Sequence, residues 1–194
     1  FIYVDTGAMY RAMALYLIRK GISPKEQEKM EEACKNAEIS IVYEKGAQQV
    51  ILDGENVTEY LRQEEVGNMA SVSSVNPKIR EKLVELQRVL ASKENVVMDG
   101  RDIGTVVLPD ANVKIYLTAS SKVRAKRRFD ELTAKGVSCD MDAIEKDIIE
   151  RDYRDMHRET SPLKQAEDAV LLDSSDLDID GVVEEMKKII KKAE

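Results

Sequence analysis

Several features that define other protein classes are scarce or missing in this sequence. The only two cysteines, Cys34 and Cys139, are too few and too isolated for a disulfide framework or a zinc site. Two unpaired thiols suit a reducing compartment, so we expect a cytoplasmic protein. No apolar run approaches the roughly 20 residues needed to span a bilayer. The net charge of -7 argues against a general binder of nucleic acid or membrane surfaces, because such binders present net positive patches.

The common signatures of catalytic and phosphate-binding sites are also scarce. His157 is the only histidine and has no serine or cysteine partner in a triad context, so we interpret it as a surface residue on a charged helix. No cluster of His, Cys, Asp and Glu has the spacing of a metal site made by protein ligands alone. Neither GxxxxGKS/T nor GxGxxG is present, so these residues contain no glycine-rich cradle for nucleotide phosphates.

Strand and helix patterns alternate along the chain, which is typical of an α/β protein. The 194 residues, 43% of them hydrophobic and 35% charged, suit one globular domain or a core with a small inserted subdomain. A β-meander predicted at about residues 38–60 interrupts the alternation and forms that insert. Residue 1 is a phenylalanine inside an apparent strand, Phe1–Val4, so we expect that an upstream segment is missing.

Apolar periodicity predicts seven helices. They are expected at residues 9–18, 25–37, 61–70, 77–91, 122–134, 141–156 and 178–193. Short apolar runs predict strands at residues 96–98, 113–117 and 169–173, and residues 103–109 read as another extended run. Residues 71–77 are expected to form a loop.

A cation and an anion, Arg101 and Asp102, follow the predicted strand Val96–Met98 and the turn signal Asp99–Gly100. Ligands of open α/β sheets bind outside the carboxyl ends of the strands, so this pair could hold a phosphate and a base that donates a hydrogen bond. A surface salt bridge explains the two residues equally well.

Polar residues at helix starts give further candidates. Asp5 or Thr6 is well placed to cap the helix after the first strand. Arg11 lies in the first turns of that helix, where a cation opposes the helix dipole, so it is either a ligand for an anion or an ordinary solvated arginine. Arg80 falls one turn into a later helix, and Ser71 could reach the same space, although a loop serine usually has no further role.

A dense mixed-charge segment lies between residues 121 and 160, with ten Lys or Arg and ten Asp or Glu. A solvated helical hairpin is the simplest interpretation, and a mobile lid has the same pattern. If the segment is helical, Arg151, Asp155 and Arg158 share a face. Asp147, Arg151 and Asp155 could form a ladder of surface ion pairs, but three arginines within eight residues favour the binding of an anion such as a phosphoryl group.

Three stretches, together with the β insert, resemble bacterial cytidylate kinases, and the similarity covers essentially the whole chain. They are Asp5–Arg11, Asp99–Val107 and Glu150–Asp155, the last followed by Arg158 and Pro162. The resemblance implies the α/β fold of P-loop-type nucleoside monophosphate kinases, with a twisted parallel sheet, flanking helices and a helical lid. It also implies phosphoryl transfer from ATP, with Mg²⁺, to CMP or dCMP.

The resemblance implies roles for individual residues. Arg11 and Arg101 would hold the phosphate of the acceptor, and Ser71, Arg80 and Asp102 would read the cytosine edge. These residue types suit that edge, because a carboxylate accepts from the exocyclic amine while an arginine and a hydroxyl donate to O2 and N3.

In the lid, Asp155 and Arg151 would meet the ribose, with deoxyribose tolerated, and Arg158 would reach the phosphate on closure. Asp5 and Thr6 complete the implied substrate-binding set, and Thr6 keeps a hydroxyl where relatives also use serine. The implied catalytic residues are Arg101, Arg151 and Arg158.

The resemblance is incomplete on the ATP side. The family begins with a strand and a P-loop that should lie upstream of Phe1, so we expect this chain alone to be inactive. Its own ATP-side candidates are Arg124 and Arg128, and the only residue suggested for Mg²⁺ is Asp99, through a water molecule.

The implied division of the chain has three parts in a monomer. A core would comprise residues 1–20, 92–120 and 160–194, a CMP-binding arm residues 21–91, and a lid residues 121–159. A non-catalytic nucleotide-binding module is the alternative. A kinase for UMP or AMP is a third interpretation. It depends on Asp102, because a carboxylate favours a base whose exocyclic amine donates a hydrogen bond.

Overall fold

The computed structural model describes residues 1–193 and divides the chain into two compact units. The first is Phe1–Ile103 and the second begins at Gly104. Among the described residues, no helix combines the length and the apolar character that a membrane crossing needs.

Two parallel strands organise the first unit. Strand β1, Ile2–Asp5, leads directly into helix α1, Thr6–Arg19, and pairs with strand β5, Val96–Asp99. In this register Asp5 lies opposite Asp99, so both strands end at the same edge. The turn into α1 and the segment after β5 are therefore neighbours.

Helix α1 forms the centre of the hydrophobic core of this unit. Its residues from Ala12 to Leu17 are all buried, because the helix is apolar around most of its circumference. It packs with Met30 and Cys34 of helix α2, Gln27–Asn36, and with Leu83 of helix α4, Pro77–Ala91. Full burial of such side chains stabilises the fold by about 1.5–3 kcal/mol each.

The predicted β-meander is confirmed as three antiparallel strands. They are β2, Ile39–Glu44; β3, Ala47–Leu52; and β4, Glu55–Asn56. Two-residue turns join them, and Lys45 and Gly46 at the first turn have φ of 52° and 79°. Positive φ at both central residues is the geometry of type I′ turns, which suits the twist of a tight hairpin.

The remaining elements of the first unit are helical. They are α2, Gln27–Asn36; a 3₁₀ helix, Thr58–Arg62; α3, Glu64–Ser73; and α4, Pro77–Ala91. The prediction of a loop over residues 71–77 was wrong at its start, because Val66, Met69, Ala70 and Ser73 form one buried helical stripe that continues α3 through the serines. The Asn76 side chain then caps α4 by accepting from the amides of Lys78 and Ile79, at 2.9 and 3.2 Å.

The extended conformation predicted for residues 103–109 was also wrong. Residues Ile103–Val107 form a π-helical turn in which Val107 is buried. A short apolar run does not distinguish a strand from a buried helical segment. Turns of this kind are rare and occur frequently at functional sites.

The second unit combines a parallel strand pair with a helical hairpin. Strands β6, Ile115–Thr118, and β7, Val170–Asp173, pair in parallel. The hairpin consists of α5, Ser121–Ala134, and α6, Met141–His157, and the chain continues to α7, Ile179–Ala193. Ser120 and Asp140 cap the two hairpin helices, as their positions before the apolar periodicity indicate.

Candidate functional site

The ends of β1 and β5 are tied together by a hydroxyl. Thr6 is buried, and its Oγ1 donates to the carbonyl of Asp99 at 2.7 Å. Gly100 lies so close that a Cβ there would be 2.5 Å from Thr6 Oγ1. Only a glycine therefore fits between the two strand ends.

The N-terminus of α1 opens beside this contact. Asp5 caps the helix, and its Oδ1 accepts from the amide of Ala8 at 3.1 Å. The Nη1 atom of Arg11 lies 3.3 Å from the position that a Cβ on Gly7 would take, so the guanidinium folds back over the first turn. A helix N-terminus with an adjacent arginine is suited to bind an anion.

A buried ion pair joins Arg80 of α4 to Asp102. Their side chains are only 4% and 5% exposed, and Arg80 Nη2 donates to Asp102 Oδ2. A surface salt bridge at Asp102 is therefore excluded. Burying two charges costs several kcal/mol of desolvation per ion, so a pair placed next to strand ends is more consistent with a binding role than with stability alone.

Two further contacts hold the Arg80 guanidinium. Its Nη1 donates to the carbonyl of Ser74 at 2.9 Å, and its Cζ lies 5.3 Å from the ring centroid of Tyr10. The Ser74 hydroxyl donates to the carbonyl of Ser71 at 3.0 Å. The structure therefore brings Ser71, Arg80 and Asp102 into one neighbourhood, as the sequence resemblance implies.

Sequence reasoning did not select Tyr10 or Tyr3. Tyr10 stands four residues after Thr6, so helical spacing places both on one face of α1 and could have indicated it. Tyr3 donates from Oη to Asp99 Oδ1 at 3.0 Å. Nothing in the local pattern indicates this contact, because it depends on the register between β1 and β5.

The Asp99 carboxyl group has a pKa above its ordinary value. Desolvation, and to a lesser degree the nearby Asp5 carboxylate, raise the pKa of Asp99, while the Tyr3 hydroxyl and the positive charge of Arg101 oppose that rise. Arg101 is thus close enough to Asp99 to act on it electrostatically. Among residues 1–193, no group of three His, Cys, Asp or Glu side chains could hold a metal ion.

In the second unit, Asp155 lies between two of the predicted arginines. Its carboxylate is 4.0 Å from Arg151 Nε and 3.4 Å from Arg158 Nη1. Arg158 is the C-cap of α6 in an extended conformation, and its Nε donates to the carbonyl of Ser161 at 2.8 Å. The predicted grouping of these three residues is therefore present, although Arg158 lies just outside the helix.

The two ATP-side candidates, on α5, have partners of their own. Arg124 binds Asp152 of α6 with two N–H groups, at 2.5 and 3.1 Å, and donates a third to the carbonyl of Ala119. Three of its five N–H donors are thus used within the hairpin. Arg128 is more exposed and donates to Glu131 at 2.8 Å.

Comparison with known proteins assigns the family. A family model described as cytidylate kinase matches residues 1–192. The chain belongs to the cytidylate kinase family. It is 47% identical to the cytidylate kinase of Caldicellulosiruptor saccharolyticus. The alignment spans 192 residues, which are 99% of this chain and 85% of that protein. It is also 46% identical to the cytidylate kinase of Streptococcus pneumoniae strain 70585. That alignment spans 193 residues, which are 99% of this chain and 86% of that protein.

This membership confirms two of the predictions made from the sequence. The α/β class is confirmed by parallel strand pairs with flanking helices, which here form two separate two-stranded sheets, β1 with β5 and β6 with β7. The assignment to the transferases, as a nucleotide-using kinase, is confirmed by the match to cytidylate kinases over nearly the whole chain. The three-part domain division and the roles of single residues stay predictions.

Proposed function

We propose that this cytidylate kinase family member transfers a phosphoryl group from ATP to CMP or dCMP, giving ADP and CDP or dCDP. The observation that carries the proposal is the buried Arg80–Asp102 pair beside the ends of β1 and β5. It offers an acceptor and a donor, held in fixed positions, where ligands of α/β sheets bind.

The pair is suited to the edge of cytosine. Asp102 accepts from the exocyclic amine, and Arg80, with the Ser71 hydroxyl, donates to O2 and N3. The Nε of Arg80 is buried and has no hydrogen-bond partner among the described residues. A buried donor without a partner is costly, and a base oxygen would satisfy it.

The phosphate of the acceptor binds at the N-terminus of α1 under this proposal. Arg11 and Arg101 supply charge, and the helix dipole adds to it. Thr6 donates its only hydroxyl proton to Asp99, so toward a ligand it can only accept. We therefore assign Thr6 and Asp5 to fixing the turn that carries these groups.

The lid residues act on the ribose and the transferred group. Asp155 and Arg151 bind the ribose. Deoxyribose is tolerated because it keeps a second hydroxyl, which can donate a hydrogen bond to the carboxylate. Arg158 reaches the phosphoryl group when the hairpin closes. Its guanidinium and that of Arg151 stabilise the charge that spreads over the phosphoryl oxygens, a role that the resemblance also implies for Arg101.

In this mechanism the acceptor oxygen of CMP attacks the γ-phosphorus of ATP in line, and ADP leaves. No protein nucleophile is needed, because positioning and charge stabilisation supply most of the catalysis. Closure of the hairpin excludes water, which would otherwise accept the phosphoryl group.

Only two residues, Arg124 and Arg128, are proposed to bind ATP. Arg124 keeps two N–H donors and Arg128 an exposed guanidinium for the donor nucleotide. Mg²⁺ would reduce the charge of the phosphates, but the described residues do not form a site for it, and Asp99 alone could reach it through water.

We also propose that the protein is a cytoplasmic monomer; both cysteines are free, and Cys34 is buried.

A coupled phosphoryl-transfer assay tests the proposal. The protein is assayed on CMP, dCMP, UMP and AMP, with ATP as the phosphoryl donor. We expect turnover of CMP and dCMP well above that of UMP and AMP. Saturable binding of CMP without ADP formation would favour the non-catalytic nucleotide-binding module.

A further inference from the structure

One edge of strand β1 is not used by β5. Ile2 donates its amide to the carbonyl of Asn95 at 2.8 Å, so Ile2 and Val4 direct their peptide groups toward β5. In a parallel pair successive residues alternate between the two edges. The peptide groups of Tyr3 and Asp5 therefore face outward, away from β5.

Two side chains of the β insert occupy this outer edge. Tyr43 donates from Oη to the carbonyl of Tyr3 at 2.8 Å. Gln48 accepts from the Asp5 amide at 2.9 Å and donates to the Asp5 carbonyl at 3.2 Å. The side-chain amide of Gln48 thus bonds to Asp5 in the way that a neighbouring strand would.

The register of the insert explains why these two residues act together. Tyr43 of β2 lies directly opposite Gln48 of β3. Directly opposed residues of an antiparallel pair project to the same face, so both side chains leave the insert toward β1. One cross-strand pair therefore holds two outward-facing residues of β1.

We propose that the Tyr43–Gln48 pair is a positioning clamp for the phosphate-binding turn, an inference that rests on the proposed function. Gln48 fixes the Asp5 peptide, and Asp5 in turn caps α1 through Ala8. The next residue, Thr6, is tied to the end of β5. The insert thus sets the position of the helix N-terminus without touching the reacting atoms.

A side-chain amide is the group that this clamp requires. Gln48 presents one acceptor and one donor to a peptide that offers one of each. A glutamate would keep the acceptor, lose the donor and bring a second carboxylate toward Asp5. An asparagine would keep the amide but shorten the reach by one methylene.

The test compares Gln48→Ala with Gln49→Ala. Gln49 is the same residue type one position along β3, on its opposite face, where it accepts from Asn56 at 3.0 Å. Because the clamp positions a binding group, we expect Gln48→Ala to raise the Michaelis constant for CMP about fivefold to twentyfold, as two lost hydrogen bonds predict. The kcat should change by less than about threefold, since the contact is remote from the transferred group.

Hydrogen exchange provides a readout that needs no turnover. The Asp5 and Ala8 amides should exchange faster in Gln48→Ala than in Gln49→Ala, and Tyr43→Phe should give a smaller change. Equal Michaelis constants and equal exchange in the two glutamine variants would overturn the clamp. If the wild-type protein fails to phosphorylate CMP, the proposed function fails, and the exchange rates alone decide whether Gln48 controls the turn.

Discussion

The guanidinium of Arg80 lies over the ring of Tyr10, with 5.3 Å between Cζ and the ring centroid. The same guanidinium donates to the Asp102 carboxylate and to the Ser74 carbonyl. A carboxylate, a peptide oxygen and an aromatic face therefore hold one buried cation. The ring attracts the cation without using a hydrogen-bond donor, which leaves the Nε of Arg80 for a ligand.

Replacing Tyr10 tests the contribution of the ring. Tyr10→Leu should raise the Michaelis constant for CMP up to about 30-fold, because a desolvated cation–π contact is worth about 2 kcal/mol. Tyr10→Phe keeps the aromatic face and should stay within about fivefold of wild type. Steady-state kinetics on CMP measure both. An equally large rise in the two variants would assign the effect to the hydroxyl and not to the ring.

Asp102→Asn tests whether Asp102 recognises the cytosine base. The carboxylate accepts from the amine of cytosine, whereas the amide of asparagine can also donate to the O4 carbonyl of uracil. We expect the ratio of kcat/KM for CMP over UMP to fall by at least about tenfold, since a good polar match is worth 1–3 kcal/mol.

The ratio is the appropriate measurement for Asp102→Asn because the substitution also weakens the fold. Arg80 would lose its charged partner, and a buried charge left without one costs about 3–5 kcal/mol. Loss of stability lowers activity on both substrates alike. An equal fall on CMP and UMP would therefore count against Asp102 as the residue that selects cytosine.

Two glycines in the first unit form a matched pair for a packing test. A Cβ on Gly100 would lie 2.5 Å from Thr6 Oγ1 and 2.8 Å from Ile103 Cδ1, whereas one on Gly67 of α3 has no atom within 4 Å. Gly100→Ala should lower the free energy of unfolding by about 1–3 kcal/mol. Gly67→Ala should raise it by roughly 0.5–1 kcal/mol, since alanine favours a helix. Urea denaturation measures both, and similar values for the two variants would refute the crowding at Gly100.

Two carboxylates three residues apart on α6 should separate stability from binding. Asp152 bonds to Arg124 of the other hairpin helix, while Asp155 contacts Arg151 and Arg158. Asp152→Ala should cost about 1 kcal/mol of stability with a small effect on the Michaelis constant for CMP. Asp155→Ala should raise that constant about tenfold, because it removes a hydrogen bond to the ribose and frees two arginines. The reverse pattern would place the substrate contact at Asp152.

The titration of Tyr3 depends on Asp99. Desolvation, followed by the Asp99 carboxylate, raises the pKa of Tyr3 to about 12 from an ordinary value of 10.0. The folded state therefore holds the phenol proton more tightly than the unfolded state. This contribution to stability is complete below pH 10 and is lost as the pH rises through about 12.

Asp99→Asn should lower the pKa of Tyr3, because it removes the negative charge that opposes ionisation of the phenol. The tyrosinate absorbance of each protein, corrected by its Tyr3→Phe counterpart, isolates this one group. The same midpoint with and without the Asp99 carboxylate would show that burial alone sets the pKa.

The sequence allowed accurate prediction where local chemistry determines structure. Helix α6 was expected at residues 141–156 and spans Met141–His157, because its apolar periodicity and the Asp140 cap are both local. The meander followed from two turns with strong signals. Residues 103–109 were predicted incorrectly, since a short apolar run does not distinguish a strand from a helical turn.

The candidate site could be predicted only as a set of residues. Helical spacing was enough to group Arg151 with Asp155. The pairing of Arg80 with Asp102 joins residues from two elements, and no spacing along the chain encodes it. The contacts of Tyr3, Tyr43 and Gln48 depend on strand register, which is set by packing across the whole unit.

The side chains of Tyr43 and Gln48 have a consequence for association between molecules. Unpaired peptide groups along an edge strand can accept a strand from another chain, which is a common route to aggregation. In this protein the outward carbonyl of Tyr3 and both peptide groups of Asp5 are already bonded by the insert. Removing the insert would thus expose a template for strand addition, and we expect such a variant to self-associate at concentrations where the intact chain stays dispersed.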